Sequence, residues 1–297
     1  MLKIQKYAAI DIGSNAIRLL IANIISEPNR ATQFKKASLV RVPIRLGSDV
    51  FSEGKISKES EARMVKALNA FKLLMEVSNV ENFKACATSA MREAQNGQAV
   101  ADAIFAKTTI KIDIIDGKTE ALIISSTDLH DYIDENKSYL YVDVGGGSTE
   151  FNIYKKGKIT HSKSFSIGTV RLLDKKVSKQ DWKAAEEWVK EYAKGLHKLT
   201  LIGSGGNINK IHKMSGRKPE KALSYIFLNA QYRFLKTMSY EERISELNLN
   251  PDRADVIIPA LKIYLSAMKW SGARNIYVPK IGLSDGIIKS LYSGKLT

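Results

Sequence analysis

Cysteine is almost absent from this sequence, since Cys86 is the only one among 297 residues. A single thiol cannot form a disulfide within the chain or supply the paired thiolates of a structural zinc site. Such sparing use of cysteine is typical of a reducing compartment. No apolar run approaches the ~20 residues of a transmembrane helix, and Asp11 interrupts the N-terminal apolar stretch too early for a signal peptide. We therefore expect a cytoplasmic protein with no membrane partner.

Several common nucleotide- and metal-binding motifs are also missing. The Walker A pattern Gly-x-x-x-x-Gly-Lys-Ser/Thr does not occur, and neither does the Gly-x-Gly-x-x-Gly of dinucleotide-binding folds. The four histidines have no spacing typical of metal ligands. The sequence therefore does not indicate a P-loop enzyme, a dinucleotide-dependent enzyme or a histidine metal centre.

Acidic residues are scarce relative to basic ones, with 31 Asp and Glu against 46 Lys and Arg and a formal net charge of +15. Such an excess favours polyanions: nucleic acid, an anionic membrane or a phosphate-rich substrate. No basic segment is interleaved with aromatic residues, so nucleic acid is the weakest of these partners. The alternative is a basic surface that serves only solubility.

The most informative segment is a short strand followed by a glycine loop. Residues 139–144 are apolar and β-branched, as in a buried strand, and three glycines and Ser148 come next. Glycines let several backbone N–H groups point into one small space, which makes an anion-binding nest. Asp143 precedes the loop and Glu150 follows it, and a carboxylate beside a phosphate nest implies a divalent cation between them. We therefore predict a phosphate site at which Asp143 and Glu150 bind Mg²⁺.

The same pattern occurs near the N-terminus. Asp11 precedes Gly13 as Asp143 precedes Gly145, at a separation of 132 residues, which is 143 minus 11. Two strand–Asp–x–Gly–turn–strand hairpins suggest two related domains that each offer a loop to a shared cleft. Asp and Gly are also common turn residues that need bind nothing, but this alternative is weaker for a pair of hairpins than for one.

Other residues at loops and strand ends are suited to phosphate or to water. Ser14, Asn15 and Arg18 supply donors from the first hairpin, and arginine can grip phosphate oxygens in a bidentate manner. The strand-to-helix junctions at 87–92 and 203–206 add free N–H groups. Glu120, in the first turn of a predicted helix, is the spare carboxylate that could orient or deprotonate an attacking water. The alternative for Glu120 is a favourable contact with the helix dipole alone.

Predicted strands and helices alternate along the chain, which implies an α/β fold. A polar loop is expected between 47 and 57, before a helix that Ser57 caps. Predicted strands are at 4–11, 16–25, 32–42, 83–87, 110–115, 139–144, 149–155, 158–165 and 275–278, and a further strand begins at Leu199 and leads into Gly203. Predicted helices are at 58–78, 98–106, 179–197, 221–238, 253–270 and 283–292. Residues 116–121 open a further helix that runs to about 133, a short helix starts at 166–171, and the glycine junction at 203–206 leads into a helix that ends near 214.

Taken together, these motifs resemble the exopolyphosphatase/guanosine pentaphosphate phosphohydrolase (Ppx/GppA) family of the actin–Hsp70–sugar kinase superfamily, over essentially the whole chain. The residues that carry the resemblance are Ile10-Asp-Ile-Gly-Ser-Asn-Ala-Ile-Arg-Leu19, Arg45-Leu-Gly47, Ala87-Thr-Ser-Ala-Met-Arg-Glu-Ala-Gln-Asn96, Gly117-x-x-Glu120-Ala121, Asp143-Val-Gly-Gly-Gly-Ser-Thr-Glu150, Ile167-Gly-Thr-Val-Arg-Leu172, Gly203-Ser-Gly-Gly206 and Ala254-Asp255.

The resemblance implies two ribonuclease-H-like α/β domains with the active site in the cleft between them. We expect the first domain over 1–121, with 286–297 packing back on it, and the second over 122–285. The resemblance also implies that Glu120 is catalytic and that Asp143 and Glu150 are the Mg²⁺ ligands. The substrate-binding positions that it implies are Asp11, Gly13, Ser14, Asn15, Arg18, Ser89, Arg92, Gly145, Gly146, Gly147, Ser148, Gly205 and Gly206.

The chain departs from the family pattern in three places. Longer relatives carry a helical C-terminal extension, which has no counterpart here and helps them to bind long polyphosphate and dimerise. Ser284 stands where the family often has arginine, which puts one anion contact in question, and Pro259 stands where glycine is common.

The function expected from the resemblance is Mg²⁺-dependent release of orthophosphate from the end of inorganic polyphosphate, by a possible homodimer. The alternative within the same chemistry is 5′-phosphate hydrolysis of guanosine pentaphosphate (pppGpp). A second class is a weakly active regulator that binds polyphosphate or nucleotide, and a third is a sugar kinase or chaperone-like ATPase of the same superfamily. The blocks at 88–96 and 117–121 favour the phosphatase over the third class.

Overall fold

The chain folds into two units, each with its own sheet and its own apolar core. The computed structural model describes residues 1–125, 127, 134, 136–196 and 199–296. Unit 1 comprises Met1–Thr127 together with Leu283–Thr297, and unit 2 comprises Asp128–Gly282. The boundary predicted from the sequence, after residue 121, lies a few residues earlier, because the helix that begins at Gly117 continues within unit 1 to Ser125.

Unit 1 is built on a five-stranded sheet. β1 (Lys3–Ile12), β2 (Ala16–Ser26) and β3 (Gln33–Pro43) form an antiparallel meander, and β4 (Asn82–Ala87) and β5 (Ile112–Ile114) join it as parallel strands. The strand order is β3-β2-β1-β4-β5. Because β1 and β4 are parallel neighbours, the first hairpin loop and the segment after β4 emerge at the same edge of the sheet.

Five helices follow or connect these strands in unit 1. They are α1 (Leu46–Glu53), α2 (Lys58–Val77), α3 (Ser89–Glu93), α4 (Gly97–Thr108) and α5 (Gly117–Ser125). The Ser57 hydroxyl accepts from the Ser60 amide at 3.1 Å and so caps α2 as predicted. The predicted continuation of α5 over 128–133 lies outside the described residues. α1 was missed, since the sequence predicts a polar loop there, and burial of Leu46 and Val50 stabilises it.

Unit 2 repeats the meander with a six-stranded sheet. β6 (Ser138–Val144), β7 (Thr149–Lys155) and β8 (Lys158–Phe165) are antiparallel, and β9 (Thr200–Ser204) runs parallel to β6. β10 (Leu223–Ser224) and β11 (Asn275–Tyr277) complete the order β10-β11-β9-β6-β7-β8. The shared opening of both sheets places each glycine loop between the first two strands of its unit.

The helices of unit 2 differ from prediction mainly in where they break. They are α6 (Thr169–Leu173), α7 (Lys179–Ala193), α8 (Gly206–Met214), α9 (Tyr225–Thr237), α10 (Tyr240–Ser245), α11 (Pro251–Ala254) and α12 (Ile257–Ser271). The predicted helix 253–270 is in fact α11 and α12. Pro259 stands in the first turn of α12, where a missing N–H breaks no helical hydrogen bond. Residue 197, the predicted end of α7, lies outside the described residues.

The last helix, α13 (Leu283–Tyr292), belongs to unit 1. The Tyr292 ring packs edge-on against Tyr7, with 5.8 Å between ring centroids, and its hydroxyl lies 3.0 Å from that of Ser26. Lys36 and Asp285 form an ion pair at 2.8 Å. These contacts fasten the end of the chain to the first sheet. Among the described residues, no helix is long and apolar enough to cross a membrane.

Candidate active site

The glycine loop of unit 2 is a tight turn that leaves three successive amides open. The Gly145 N–H donates to the Ser148 carbonyl at 3.0 Å, which closes the turn between β6 and β7. Within the described part of the chain, no oxygen accepts from the N–H of Gly146, Gly147 or Ser148. Successive open amides of this kind make a nest for an anion. The Gly145 amide is used inside the turn, so any anion would be held by the three amides that follow it.

Asp143 and Glu150 stand opposite each other beside this turn. They are direct partners in the register of β6 and β7, so both side chains leave the same face of the sheet. Glu150 is 2% exposed, and its Oε1 accepts from the Ser148 hydroxyl at 2.6 Å and from the Ser164 hydroxyl at 2.9 Å. Asp143 is half-buried. The turn therefore combines an anion nest with two adjacent carboxylates.

This donor set fits a hard divalent cation. Mg²⁺ is bound in proteins through one or two carboxylates, and water and phosphate oxygens complete its coordination shell. The described residues contain no cluster of three or more Asp, Glu, His or Cys that could hold a metal by itself. An ion bound here would complete its coordination with water or with substrate oxygens. The Mg²⁺ site at Asp143 and Glu150 stays a prediction.

The first hairpin has the same turn, since the Gly13 N–H donates to the Ala16 carbonyl at 3.1 Å. Its register matches that of the second hairpin, because Asp11 pairs with Arg18 as Asp143 pairs with Glu150. The two units therefore share the backbone repeat that the sequence suggests.

The repeat differs at the position opposite the aspartate. In unit 1 the Arg18 guanidinium donates to Asp11 Oδ2 at 2.7 Å, and Asp11 is 3% exposed. In unit 2 the equivalent position holds Glu150, which adds a second negative charge. The chain therefore places a cation beside the aspartate of the first hairpin and a second carboxylate beside the aspartate of the second hairpin.

Ser14 and Asn15, the other predicted residues of the first hairpin loop, form hydrogen bonds with segments outside the hairpin. The hydroxyls of Ser14 and Ser89 lie 3.0 Å apart, and both residues are buried. The carbonyl of Ser14 accepts from the Gly47 amide at 2.7 Å, and that of Asn15 accepts from the Arg45 amide at 3.0 Å. The segment before and at the start of α1 thus supports the loop, a role that the sequence did not indicate.

Glu120 and Arg92 lie close together in unit 1. Arg92 is on α3, which follows β4, and Glu120 is on α5, which follows β5. Arg92 Nη1 is 3.7 Å from Glu120 Oε2 and donates to the Ile115 carbonyl at 2.7 Å. Glu120 is 7% exposed and sits in the first turn of α5. A surface glutamate that only complements the helix dipole need not be buried beside an arginine. This placement makes Glu120 a candidate for chemistry.

Cys86 lies beside Asp11 in the register of β1 and β4 and is fully buried. Burial, assisted by the nearby carboxylate of Asp113, raises the pKa of the Cys86 thiol to about 12. The thiolate is the reactive form, so we expect iodoacetamide at pH 8 to leave native Cys86 unlabelled and to label it quickly in urea. Above about pH 8.5 the Cys86 thiol ionises in the unfolded chain but stays protonated in the folded protein. The free energy of unfolding should therefore fall as the pH rises through this range. Mass spectrometry measures the labelling, and rapid reaction of the native protein would contradict the burial.

The third glycine junction lies next to the second hairpin. Gly205 has a φ of 124°, and a Cβ at this position would stand 2.9 Å from the Val144 carbonyl and 3.7 Å from Asp143 Oδ1. Only glycine allows this close approach with that backbone conformation. A Cβ on Gly206, the first residue of α8, would stand 3.1 Å from Arg253 Nη2. Unit 2 therefore brings Gly205 and Gly206 to the same sheet edge as the carboxylates.

Asn152 follows Glu150 by two residues on β7 and is fully buried. Neither atom of its side-chain amide has a hydrogen-bond partner in the described part of the chain. An unpaired buried polar group costs about 1–3 kcal/mol, so Asn152→Leu should raise the free energy of unfolding by about 1–2 kcal/mol. Urea denaturation measures this change.

The matched control for that substitution is Asn96→Leu. The Asn96 amide accepts from the Ile56 N–H at 2.8 Å and donates to the Ile56 carbonyl at 2.9 Å. The same change should therefore lower the free energy of unfolding at Asn96. If Asn152→Leu also lowers it, the expected gain from removing an unpaired buried amide is wrong.

Two residues at the second hairpin were missed by sequence reasoning. Ser164, on β8, supplies one of the hydroxyls that Glu150 accepts, and Arg171, on α6, donates from Nε to the Gly147 carbonyl at 2.6 Å. Their contacts span 14 and 24 residues. Arg171 belongs to a motif that carries the resemblance, but no local pattern indicates which atom it contacts.

Comparison with known proteins agrees with the motifs. The sequence profile of the Ppx/GppA phosphatase family matches residues 30–294. The bifunctional 3-dehydroquinate synthase/phosphatase of Fusobacterium nucleatum is 31% identical over 317 residues, which cover 97% of this chain and 46% of that protein. The guanosine-5′-triphosphate,3′-diphosphate pyrophosphatase of Photobacterium profundum is 25% identical over 308 residues, covering 97% of this chain and 59% of that protein. The chain thus spans about half the length of these two relatives.

Solved structures give the same result for the fold. The crystal structure of an exopolyphosphatase from Cytophaga hutchinsonii is similar with a TM-score of 0.83 and 25% sequence identity, and the match covers 98% of each chain. The two-domain α/β fold predicted from the sequence is confirmed.

Proposed function

Because the chain belongs to the Ppx/GppA phosphatase family, we propose that it is an exopolyphosphatase, which hydrolyses the terminal phosphoanhydride of inorganic polyphosphate and releases orthophosphate. The observation that carries this proposal is the second hairpin, where three open amides adjoin Asp143 and Glu150. An anion nest beside a carboxylate pair suits a phosphate group with its counter-ion. The net charge of +15 supports a long polyanion as the substrate.

In the proposed reaction, the amides of 146–148 in unit 2 bind phosphate oxygens of the substrate, and Arg18 and Arg92 are the phosphate-binding arginines of unit 1. The Glu120 carboxylate orients a water molecule and accepts its proton. The water oxygen forms a bond to phosphorus as the bond from phosphorus to the bridging oxygen breaks. The shortened chain leaves with its negative charge on that oxygen. Preorganised amides help because charge spreads over the phosphoryl oxygens in the transition state.

Asp143 and Glu150 would hold Mg²⁺, which when bound neutralises phosphate charge and activates the phosphoryl group for attack. The hydroxyls of Ser148 and Ser164 fix the orientation of the Glu150 carboxylate. Hydrogen-bonded partners of a metal-binding carboxylate hold it in one geometry. Ser164 would therefore be a positioning residue for this ligand.

The test is orthophosphate release from long-chain polyphosphate and from pppGpp, each with Mg²⁺ and then with EDTA. Metal-dependent release from polyphosphate supports the proposal. Release from pppGpp alone would favour the second candidate, 5′-phosphate hydrolysis of pppGpp. The similarity to the Photobacterium pyrophosphatase supports this candidate. Binding of either compound without release would instead indicate a regulator.

Three further expectations stay predictions: a homodimer, a cytoplasmic location and the absence of a nucleic-acid partner. Light scattering of the purified chain measures the first.

The Ser284 position bears on substrate choice, since a serine there, 7% exposed, cannot supply the anion contact of an arginine.

A further inference from the structure

The carbonyl oxygens of the three glycines in the second loop all accept hydrogen bonds from the segment that forms α6. The Gly145 carbonyl accepts from the Thr169 N–H at 3.0 Å, and the Gly146 carbonyl accepts from the Val170 N–H at 2.9 Å. The Gly147 carbonyl accepts from the side chain of Arg171, through Nε, at 2.6 Å. Two of these carbonyls are therefore held by backbone donors, and the third is held by an arginine side chain.

Two more contacts press α6 against the loop. A Cβ on Gly168 would stand 2.2 Å from the Gly146 carbonyl oxygen and 2.5 Å from the Gly147 carbonyl carbon, so the two backbones touch directly. The Thr149 hydroxyl, fully buried, donates to the Ile167 carbonyl at 2.5 Å. Arg171 is itself 8% exposed. The interface between the loop and α6 is thus buried and built mainly from backbone.

These contacts determine where the loop amides point. In a trans peptide the C=O of one residue and the N–H of the next lie in one plane and point in opposite directions. A carbonyl held by α6 therefore turns the following N–H away from α6. The three held carbonyls belong to 145–147, and the N–H groups that follow them are those of 146–148, the three amides without an acceptor in the described part of the chain.

A loop of three glycines needs such a constraint. Glycine populates positive and negative φ about equally, so a free Gly-Gly-Gly segment samples many orientations of its peptide planes. A flipped peptide would present its carbonyl oxygen to the phosphate, and the two negatively polarised oxygens would repel each other. Preorganisation of the amides lowers the entropy that anion binding must overcome.

We propose that α6 clamps the glycine loop through its carbonyls and that Arg171 is a positioning residue, which fixes the peptide between Gly147 and Ser148 so that the Ser148 amide faces the phosphate. The proposal rests on the proposed function to the extent that the loop binds phosphate. Arg171 does not touch the substrate in this role. It acts through the Gly147 carbonyl.

The test replaces Arg171 with methionine, which keeps an unbranched stem and removes every donor. Tripolyphosphate binding is measured by calorimetry in EDTA, so that the amides are probed without metal or turnover. We expect Arg171→Met to weaken binding about tenfold, the loss of one oriented hydrogen bond to a charged group. Amide hydrogen exchange of the 144–149 peptide should become faster. Arg171→Lys keeps the stem and the charge, and should restore part of both properties.

Two further variants separate positioning from general stability. Arg243→Met removes another arginine of unit 2 that donates to backbone carbonyls, those of Met238, Ser239 and Ala254, none of which belongs to the loop. It should lower the melting temperature and leave tripolyphosphate binding and loop exchange unchanged. Gly168→Ala keeps Arg171 but forces α6 from the loop, and should reproduce the Arg171→Met result.

The outcomes distinguish this inference from the proposed function. Equal binding and equal loop exchange in Arg171→Met and Arg243→Met would overturn the clamp. If the wild type binds no tripolyphosphate, the proposed substrate is wrong, and loop exchange alone decides the clamp. Faster loop exchange confined to Arg171→Met and Gly168→Ala then supports it, and unchanged exchange refutes it.

Discussion

Replacing Glu120 with glutamine is expected to lower kcat for phosphate release by about 10²–10⁴-fold, the usual contribution of a general base. Glutamine has the size of glutamate and can still orient a water molecule, but it cannot accept a proton at neutral pH. Tripolyphosphate affinity should change little, because the phosphate is bound by the loop amides and arginines. Initial rates and calorimetry with the same protein preparation measure both quantities.

The control for this substitution is Glu59→Gln. Glu59 also stands in the first turn of a helix, α2, but is exposed. It should leave kcat unchanged, because only the helix dipole acts on it. If Glu120→Gln were as active as Glu59→Gln, the buried contact with Arg92 would be structural and the base would have to be sought elsewhere.

Replacing Asp143 with asparagine is expected to raise the half-saturating Mg²⁺ concentration at least about tenfold, since one of two adjacent carboxylates is lost. The substitution removes charge but keeps the volume of the side chain. At limiting Mg²⁺ the rate of phosphate release should therefore fall, and part of it should return at high Mg²⁺. Metal titrations of activity measure this effect.

Asp181→Asn is the matched control, because Asp181 is, like Asp143, a half-buried aspartate of unit 2, and it stands at the start of α7, where it accepts from the Ser178 hydroxyl at 2.6 Å. Its metal titration should coincide with that of the wild type. Wild-type activity that survives EDTA would be evidence against the Mg²⁺ site, and an unchanged titration for Asp143→Asn would move the ligand role to other residues.

The asymmetry of the repeat gives these two experiments a common basis. In the first hairpin Arg18 stands opposite Asp11 and donates to it, whereas in the second hairpin Glu150, a further carboxylate, stands opposite Asp143. One or two carboxylates are the protein ligands by which Mg²⁺ is usually bound. The metal requirement is therefore expected to arise from unit 2 and not from unit 1.

The sequence by itself determined the family, the α/β fold and the two hairpins with their repeat. These features depend on local signals: alternation of apolar residues, glycine at a turn, and aspartate at the end of a strand. The offset of 132 residues between Asp11 and Asp143 also relates the strand pairs of the two hairpins. Ile12 pairs with Ile17 in the first hairpin, and Val144 pairs with Thr149 at the equivalent positions of the second. Such patterns are legible because each is contained in a few neighbouring residues.

Only the tertiary structure decided which groups support the loops. The Ser164 hydroxyl donates to Glu150 from the neighbouring strand β8, and the Arg171 side chain donates to Gly147 from α6, because sheet register and helix packing bring distant segments together. The short helix α1 forms where polar residues predicted a loop, since burial of Leu46 and Val50 outweighs weak local propensity. Contacts of this kind depend on packing between segments far apart in the chain, and no local pattern specifies them.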